Sequence, residues 1–495
     1  MTTRISNLGV SGLDIDSMVK SLMKARRVKY DEMGQKKTVL EWQKADYNTM
    51  YTTISDFRNT AFTNKLQATL TPKTASSSNE SVATVTANAD AVLINHDLVV
   101  TQLADGVKKI SSAAITTGTA KDTLANQFGI SGTFNISIKN GDTTKTIAVD
   151  SSKSIYELVS NINKSGANVT ASYDTTLDRF FLYTNGTGSD SGIDFSGSDA
   201  AGLSFLADNL KISTTAASGK DAEFQLDGIE LSQSTNNFSI SGINYSLKSV
   251  GGTTENPVQI MASPDIDKTV ANVKSFIESY NALLTKVNGE VDEERYSAYT
   301  PLTDDQKSEM SEDDIKTWTE KAKSGLLYHD SILQNLVSSV RSNFSTPISG
   351  LTGSYTTASS IGITTGYYTE GGKLYLDETK LRTALAADPD AVNKIFGSSG
   401  TTSNEKGIAV RLYDTLKTAM DKIVSKAGVT ASISGDTKSS IAKQIRTYIT
   451  DMDNFSDRLD DIEDRYYNQF DAMETALEKL SSQSAWLSQQ LGTSS

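Results

Sequence analysis

The chain has 495 residues, 37% of them apolar, with 47 basic and 60 acidic side chains for a net charge of −13. That length predicts three or four domains, and the modest apolar share predicts thin domains with much exposed surface. The acidic balance argues against nucleic acid as a partner, and the lack of cysteine excludes disulfides and thiolate metal sites. No apolar run is long enough to cross a bilayer, and "MTTRISNLGVSG" at the start lacks the apolar segment of a secretory leader.

The first predicted element is a long helix entered through "SGLDIDSMVKSLM" (11–23), with Asp14 and Asp16 where carboxylates complement exposed amides and the helix dipole. Ile15, Val19 and Leu22 begin an apolar stripe; Met33, Leu40, Tyr47, Ile54 and Ala61 then continue it at seven-residue intervals. Arg26, Lys29 and Lys36 interrupt the stripe with charge. At 71–91 the composition shifts to Ser, Thr and Val, which predicts a linker leading to strands near 82–86 and 96–102. Alternating β patterning returns at 221–250, with turns at Asp227-Gly228 and Gly242, so 76–115 and 218–262 are read as one β-rich domain.

Between them, two strands are predicted to meet at Asn140-Gly141, the strongest short hairpin signal. Ser154 and Glu157 form a capping box for a short helix that Gly166 would stop, and strands follow around Val169 and Phe181. Helical spacing resumes at Ile266, where Val270, Val273, Tyr280 and Leu284 share a face. Asp388-Pro389 reads as a helix start. From Ile441 the apolar positions Ile445, Tyr448, Met452, Phe455, Leu459, Ile462 and Tyr466 alternate steps of four and three, the period of a coiled-coil seam. A stutter follows at Tyr466, and the stripe runs on through Phe470, Met473, Leu477, Leu480, Leu487 and Leu491. A helix over 441–491 would be roughly 75 Å long.

Charge supports pairing of the two ends. Residues 20–37 hold seven basic and two acidic side chains, whereas 451–478 hold ten acidic and two basic. The expected fold is thus α+β and multidomain, with long terminal helices in an antiparallel coiled coil and β-rich head domains inserted between them. The expected divisions are 1–40 with 470–495 as terminal helical segments, mobile until assembled, and 41–75 with 263–469 as a helical leg domain. The β-rich head is 76–115 with 218–262, and 116–217 forms an outer β-rich domain.

At this point a resemblance becomes specific. "SGLDIDSMVKSLM" and the closing "RYYNQFDAMETALEKLSSQSAWLSQQL" resemble the end signatures of the hook-associated protein 2 family, the filament caps of bacterial flagella. "LVSNINKSGANVTASYD" is similar to the IN motif of flagellins and hook-associated proteins, with Ile162-Asn163 as its namesake pair. Pro301-Leu302-Thr303 with Ser324-Gly325-Leu326-Leu327, and "GKLYLDETKL" at 372–381, are similar to further family segments. The resemblance implies a structural protein at the filament tip that oligomerises into a ring and promotes flagellin folding and insertion. It also implies an extracellular destination reached through the flagellar type III apparatus. The implied partners are the chain itself, flagellin, hook–filament junction proteins and a cytosolic flagellar export chaperone, without nucleic acid or membrane insertion. Alternatives are another flagellar axial protein, such as a hook–filament junction protein, or a secreted tip adhesin for mucin or host glycans using Phe180, Phe181 and Tyr183.

Catalytic patterns are thin, and the expectation is a protein that is not an enzyme and needs no cofactor or metal. "NGTGSDSG" (185–192) misses the dinucleotide spacing by one residue, and "GYYTEGGKL" (366–374) has Leu374 where a magnesium-binding hydroxyl belongs. His96 and His329 lack a nucleophile or metal-ligand neighbour pattern. The residues expected to matter are apolar. Leu13, Ile15, Val19, Leu22, Trp486, Leu487 and Leu491 are assigned to contact with other subunits or the filament. Met33, Leu40, Tyr47, Ile54, Ile445, Met452, Leu459 and Ile462 are assigned to the coiled-coil seam.

Overall fold

The computed structural model describes residues 14–492, apart from the side chains of Tyr368 and Leu491. The described chain falls into two compact units, one made of the residues up to Leu70 and from Val270 onward, the other of Thr71–Thr269.

The helical unit is organised by α1 (Ile15–Thr63) and the last helix. Asp14 caps α1, accepting from the Ser17 amide at 3.0 Å, and Asp16 lies in the first turn. The other principal helices are α2 (Ile266–Asp292), α3 (Ser331–Ser345), α4 (Ile408–Ala427) and α5 (Ser440–Gly492). The C-terminal half of α1 packs into this bundle. Tyr47, Met50, Ile54, Phe57 and Ala61 are buried there, with Phe57 5.5 Å from Phe276 and 6.0 Å from Tyr280 of α2. The buried Arg411 of α4 donates through Nη2 to the Asn343 and Thr346 carbonyls, closing the C-terminal end of α3 where orphan carbonyls need donors. At Asp388-Pro389 the chain behaves differently from its expected helix start. Asp388 ends the preceding helix Glu378–Ala387, and the next, Ala391–Phe396, starts two residues beyond Pro389 with Asp390 as its cap.

The β unit contains two cores. In the first, antiparallel strands β1 (Lys73–Ser77), β2 (Ala83–Ala87) and β3 (His96–Gln102) precede an excursion through β4 (Lys108–Ile110), β5 (Thr133–Asn140), β6 (Thr143–Asp150), β7 (Val169–Asp174) and β8 (Arg179–Thr184). The chain then returns as β9 (Ala222–Leu226), β10 (Ile229–Gln233), β11 (Asn237–Ile240), β12 (Ile243–Leu247) and β13 (Val258–Pro264). A five-stranded sheet runs β1-β13-β3-β9-β10 and a three-stranded sheet β11-β12-β2. Alternation places Leu98, Val100, Phe224, Tyr245 and Ile260 in the core that the two sheets share. Asp227 and Gly228, both at positive φ, make the tight β9–β10 turn that a right-twisted hairpin requires.

The second core gathers the β5–β6 hairpin, the β4-β8-β7 sheet and the helix Ile155–Lys164 around Ile136, Ile147, Phe180 and Phe205. Lys108–Ile110, which the sequence groups with the first core, pairs instead with β8. The Ser154–Glu157 capping box forms. The Ile162-Asn163 pair has a physical rationale. Ile162 is buried, while the Asn163 amide both donates to the Ala171 carbonyl at 2.9 Å and accepts from its N–H at 2.7 Å, stitching helix to β7.

Candidate assembly surface

The long terminal helices run antiparallel. Tyr467 Oη donates to Asp16 at 3.0 Å, Arg26 Nε to Tyr466 Oη at 3.2 Å, and Lys29 Nζ lies 5.8 Å from the Phe455 ring centre. Arg26 and Lys29, two of the three basic residues that interrupt the α1 stripe, therefore meet aromatic side chains of α5. Between them Val19, Met23 and Leu459 form a small buried cluster, with Ile15, Phe455, Ile462 and Tyr466 partly buried against it. This cluster has three buried side chains among the described residues, so this part of the pair gains much less from burial than the bundle.

The other end of the pair is fastened by a group that apolar periodicity does not reveal. Lys44 of α1 is fully buried, its Nζ donating to the Ala427 carbonyl at the end of α4 and to Asp436 Oδ2 in the loop before α5. Burial by itself would raise the Asp436 pKa. Bonds from Lys44, from the Ser439 hydroxyl and amide, and from the Lys438 amide outweigh it and hold the carboxyl well below the usual range. A lysine followed by a distant Asp-x-x-Ser turn was the available signal, but nothing in sequence marks which lysine turns inward.

The pairing geometry also divides the predicted seam. Contacts of 16 with 467, 29 with 455 and 44 with 436 place Tyr47 and Ile54 opposite residues that precede α5. These two residues instead fill the bundle, where Tyr47 Oη donates to Asp330 at 2.5 Å. Ile445 and Leu459 are buried, and Met33, Met452 and Ile462 are half-buried. Leu40 is half-buried too. It lines, with Val39, Pro301 and Tyr448, a groove of about 620 Å³ between α1, α5 and the loop at 300–301.

Of the residues assigned to outside contacts, Val19 is buried, Ile15 half-buried and Leu22 40% exposed. Trp486 is 59% and Leu487 52% exposed; Leu13 and the Leu491 side chain lie outside what is described. The final stretch of α5, from Asp471, is solvent-facing, and Met473, Leu477 and Leu480 on it are also exposed. Phe180 is core, whereas Phe181 and Tyr183 are half-buried and stack on each other 6.0 Å apart. Among the described residues no group of three His, Asp or Glu side chains could hold a metal ion, and no helix is long and apolar enough to cross a membrane.

Residues 219–482 match the family profile of the flagellar hook-associated protein 2 C-terminus, 11–106 that of its N-terminus, and 133–186 the flagellin hook IN motif. The flagellar hook-associated protein 2 of Halalkalibacterium halodurans is 31% identical, over 97% of this chain and 98% of its own. That of Escherichia coli K12 is 25% identical over 99% of both chains. In fold, the chain is similar to the D1-D2-D3 domains of the E. coli flagellar cap protein FliD, with a TM-score of 0.57 at 20% identity over 82% of this chain and 99% of that one. Matches that run end to end, at this identity and with this fold, make the chain a member of the flagellar hook-associated protein 2 family.

Proposed function

We propose that the chain is a structural subunit of the cap at the distal tip of the bacterial flagellar filament, where copies assemble and promote flagellin folding and insertion. Family membership carries this reading, and the relative of like fold is itself a flagellar cap protein. What the geometry adds is a surface suited to reversible assembly. A thinly buried helix pair continues into an exposed apolar stripe at Met473, Leu477, Leu480 and Leu487, a surface suited to contact with another polypeptide. Leu22, Trp486 and Leu487 contribute contacts to other subunits or to the filament. The role requires no bond chemistry. Hook–filament junction proteins and a cytosolic export chaperone that engages the C-terminal helix complete the partner set. The test is cellular. Deleting the gene abolishes motility and sheds flagellin monomer into the medium, and the full-length chain restores filaments; normal filaments in the deletion strain would refute the reading.

A further inference from the structure

The β unit carries an apolar patch that its own cores do not explain. Val92, Leu93 and Ile94, in the loop before β3, are 47%, 45% and 53% exposed, and Ile229 at the start of β10 is 63% exposed. The loop backbone is fixed, not slack. The Val92 amide donates to the Ser241 carbonyl at 3.1 Å, the Asn88 amide to Gly242 O at 2.8 Å, and Lys73 Nζ to the Ala91 carbonyl at 2.6 Å. The two parts of the patch are clamped together. Asp227 takes His96 Nδ1 at 2.6 Å and the Asp97 amide at 2.9 Å, which brings the β9–β10 turn alongside the first residues of β3. Three apolar side chains held outward on a fixed loop form a surface for a partner. Exposed carboxylates rim it: Asp90 before the loop, Asp97 after it, and Glu230 beside Ile229.

The complementary surface exists on the same sequence. Met18, Leu22 and Val28 of α1 are 39%, 40% and 55% exposed and lie on a different side of the helix from Val19 and Met23, which face α5. Lys24 and Lys29 flank them. Lys24 reaches Glu309 at 3.8 Å with both side chains about 70% exposed, and Lys29 has the loose stacking on Phe455 described above, so both charges stay available. We infer that the acid-rimmed patch at Val92–Ile94 and Ile229 docks onto the lysine-flanked stripe Met18–Leu22–Val28 of a second copy of this chain. Two different surfaces of one chain joined in this way form a heterologous contact, the kind that propagates into a ring. Apolar burial supplies the attraction and the opposed charges set the orientation. This contact rests on the reading of the chain as a self-assembling cap subunit.

The test uses two charge-reversed full-length variants, D90K/E230K and K24E/K29E, both of which leave the apolar residues of the two surfaces in place. Association is followed by light scattering, and circular dichroism verifies folding. Each variant alone sets like charges against each other and associates at least about tenfold more weakly than wild type. An equimolar mixture recovers association, because every contact in an alternating assembly then joins lysine to carboxylate. A contact inside one chain would give no recovery on mixing. V92S/L93S/I94S weakens association to a similar degree but with less dependence on salt. Variants that assemble like wild type, or a mixture that stays as weak as its components, would overturn the inference. A wild-type chain that remains monomeric at every concentration would instead remove the self-assembly on which it rests.

Discussion

The paired and bare halves of α5 carry the same kind of apolar stripe and meet different fates. From Ser440 to Phe470 the stripe lies against α1 or the bundle, and Ile441, Ile445 and Leu459 are buried. From Asp471 onward it continues with Met473, Leu477, Leu480 and Leu487, all at least 36% exposed. A heptad therefore marks a need for a partner and not the partner itself. What separates the halves is fastening: Lys44 and Asp436 anchor one end of the paired half, and the Val19–Met23–Leu459 cluster holds it further along.

The largest expected effect lies at the anchor. Lys44→Ala leaves Asp436 nearly enclosed without its cation, and unfolding measured by denaturant titration should lose about 3–5 kcal/mol, the usual penalty for stranding a buried charge. Lys44→Met paired with Asp436→Asn should recover part of that loss, because no lone charge remains. The pH dependence follows from the depressed Asp436 carboxyl. Its contribution is complete above the usual value of 3.8 and is lost as pH falls through the lower folded value, so Lys44→Ala should flatten the acid limb of the stability profile. Next in size is Leu459→Ala in the thin cluster. It should cost about 2 kcal/mol, at the low end for a buried leucine, because the half-buried neighbours can close around the gap.

A smaller effect of opposite sign is expected at Asp46. Burial, together with the Glu290 and Glu293 carboxylates, pushes it up to about 6 against the pull of Lys323 and Lys286. A raised carboxyl holds its proton longer in the folded state, so the helical unit loses stability as pH rises from about 4 to 6 and stays level above that. Asp46→Asn should remove this slope and raise stability at pH 7 by about 1–2 kcal/mol after allowance for solvent screening. A variant profile that still falls over the same interval would show that another group is responsible.

The helices, the hairpin turns and the capping box were legible because each rests on local chemistry: periodicity, Asn or Asp beside Gly, and Ser with Glu three residues on. The fate of the seam was not. Tyr47 and Ile54 keep the same seven-residue phase as Met33 and Leu40, yet both are buried in the bundle, with Tyr47 bonded to Asp330, because α5 begins too late to meet them. Periodicity fixes which side of a helix is apolar and cannot identify what covers it. Lys44 was illegible for a related reason. A lysine on an apolar stripe reads as a solvated interruption, as Arg26 and Lys29 do, until a loop almost 400 residues away supplies a carboxylate. The register of β4 was equally non-local, since three residues of sheet pair with a strand some 70 residues on.

The smallest expected effect sharpens the comparison most. Trp486→Ala with Leu487→Ser removes two large side chains that are more than half exposed, so the unfolding free energy of the monomer should change by less than about 0.5 kcal/mol. The same pair of changes should sharply weaken assembly, because an apolar stripe that contributes nothing to its own fold is available to a neighbouring polypeptide. Leu459→Ala should reverse the pattern, lowering monomer stability first and affecting assembly through that loss. Measuring both quantities on both variants separates the halves of one helix by role. If Trp486→Ala with Leu487→Ser destabilised the monomer as much as Leu459→Ala, the bare half would have an intramolecular partner, and its assignment to assembly would fall.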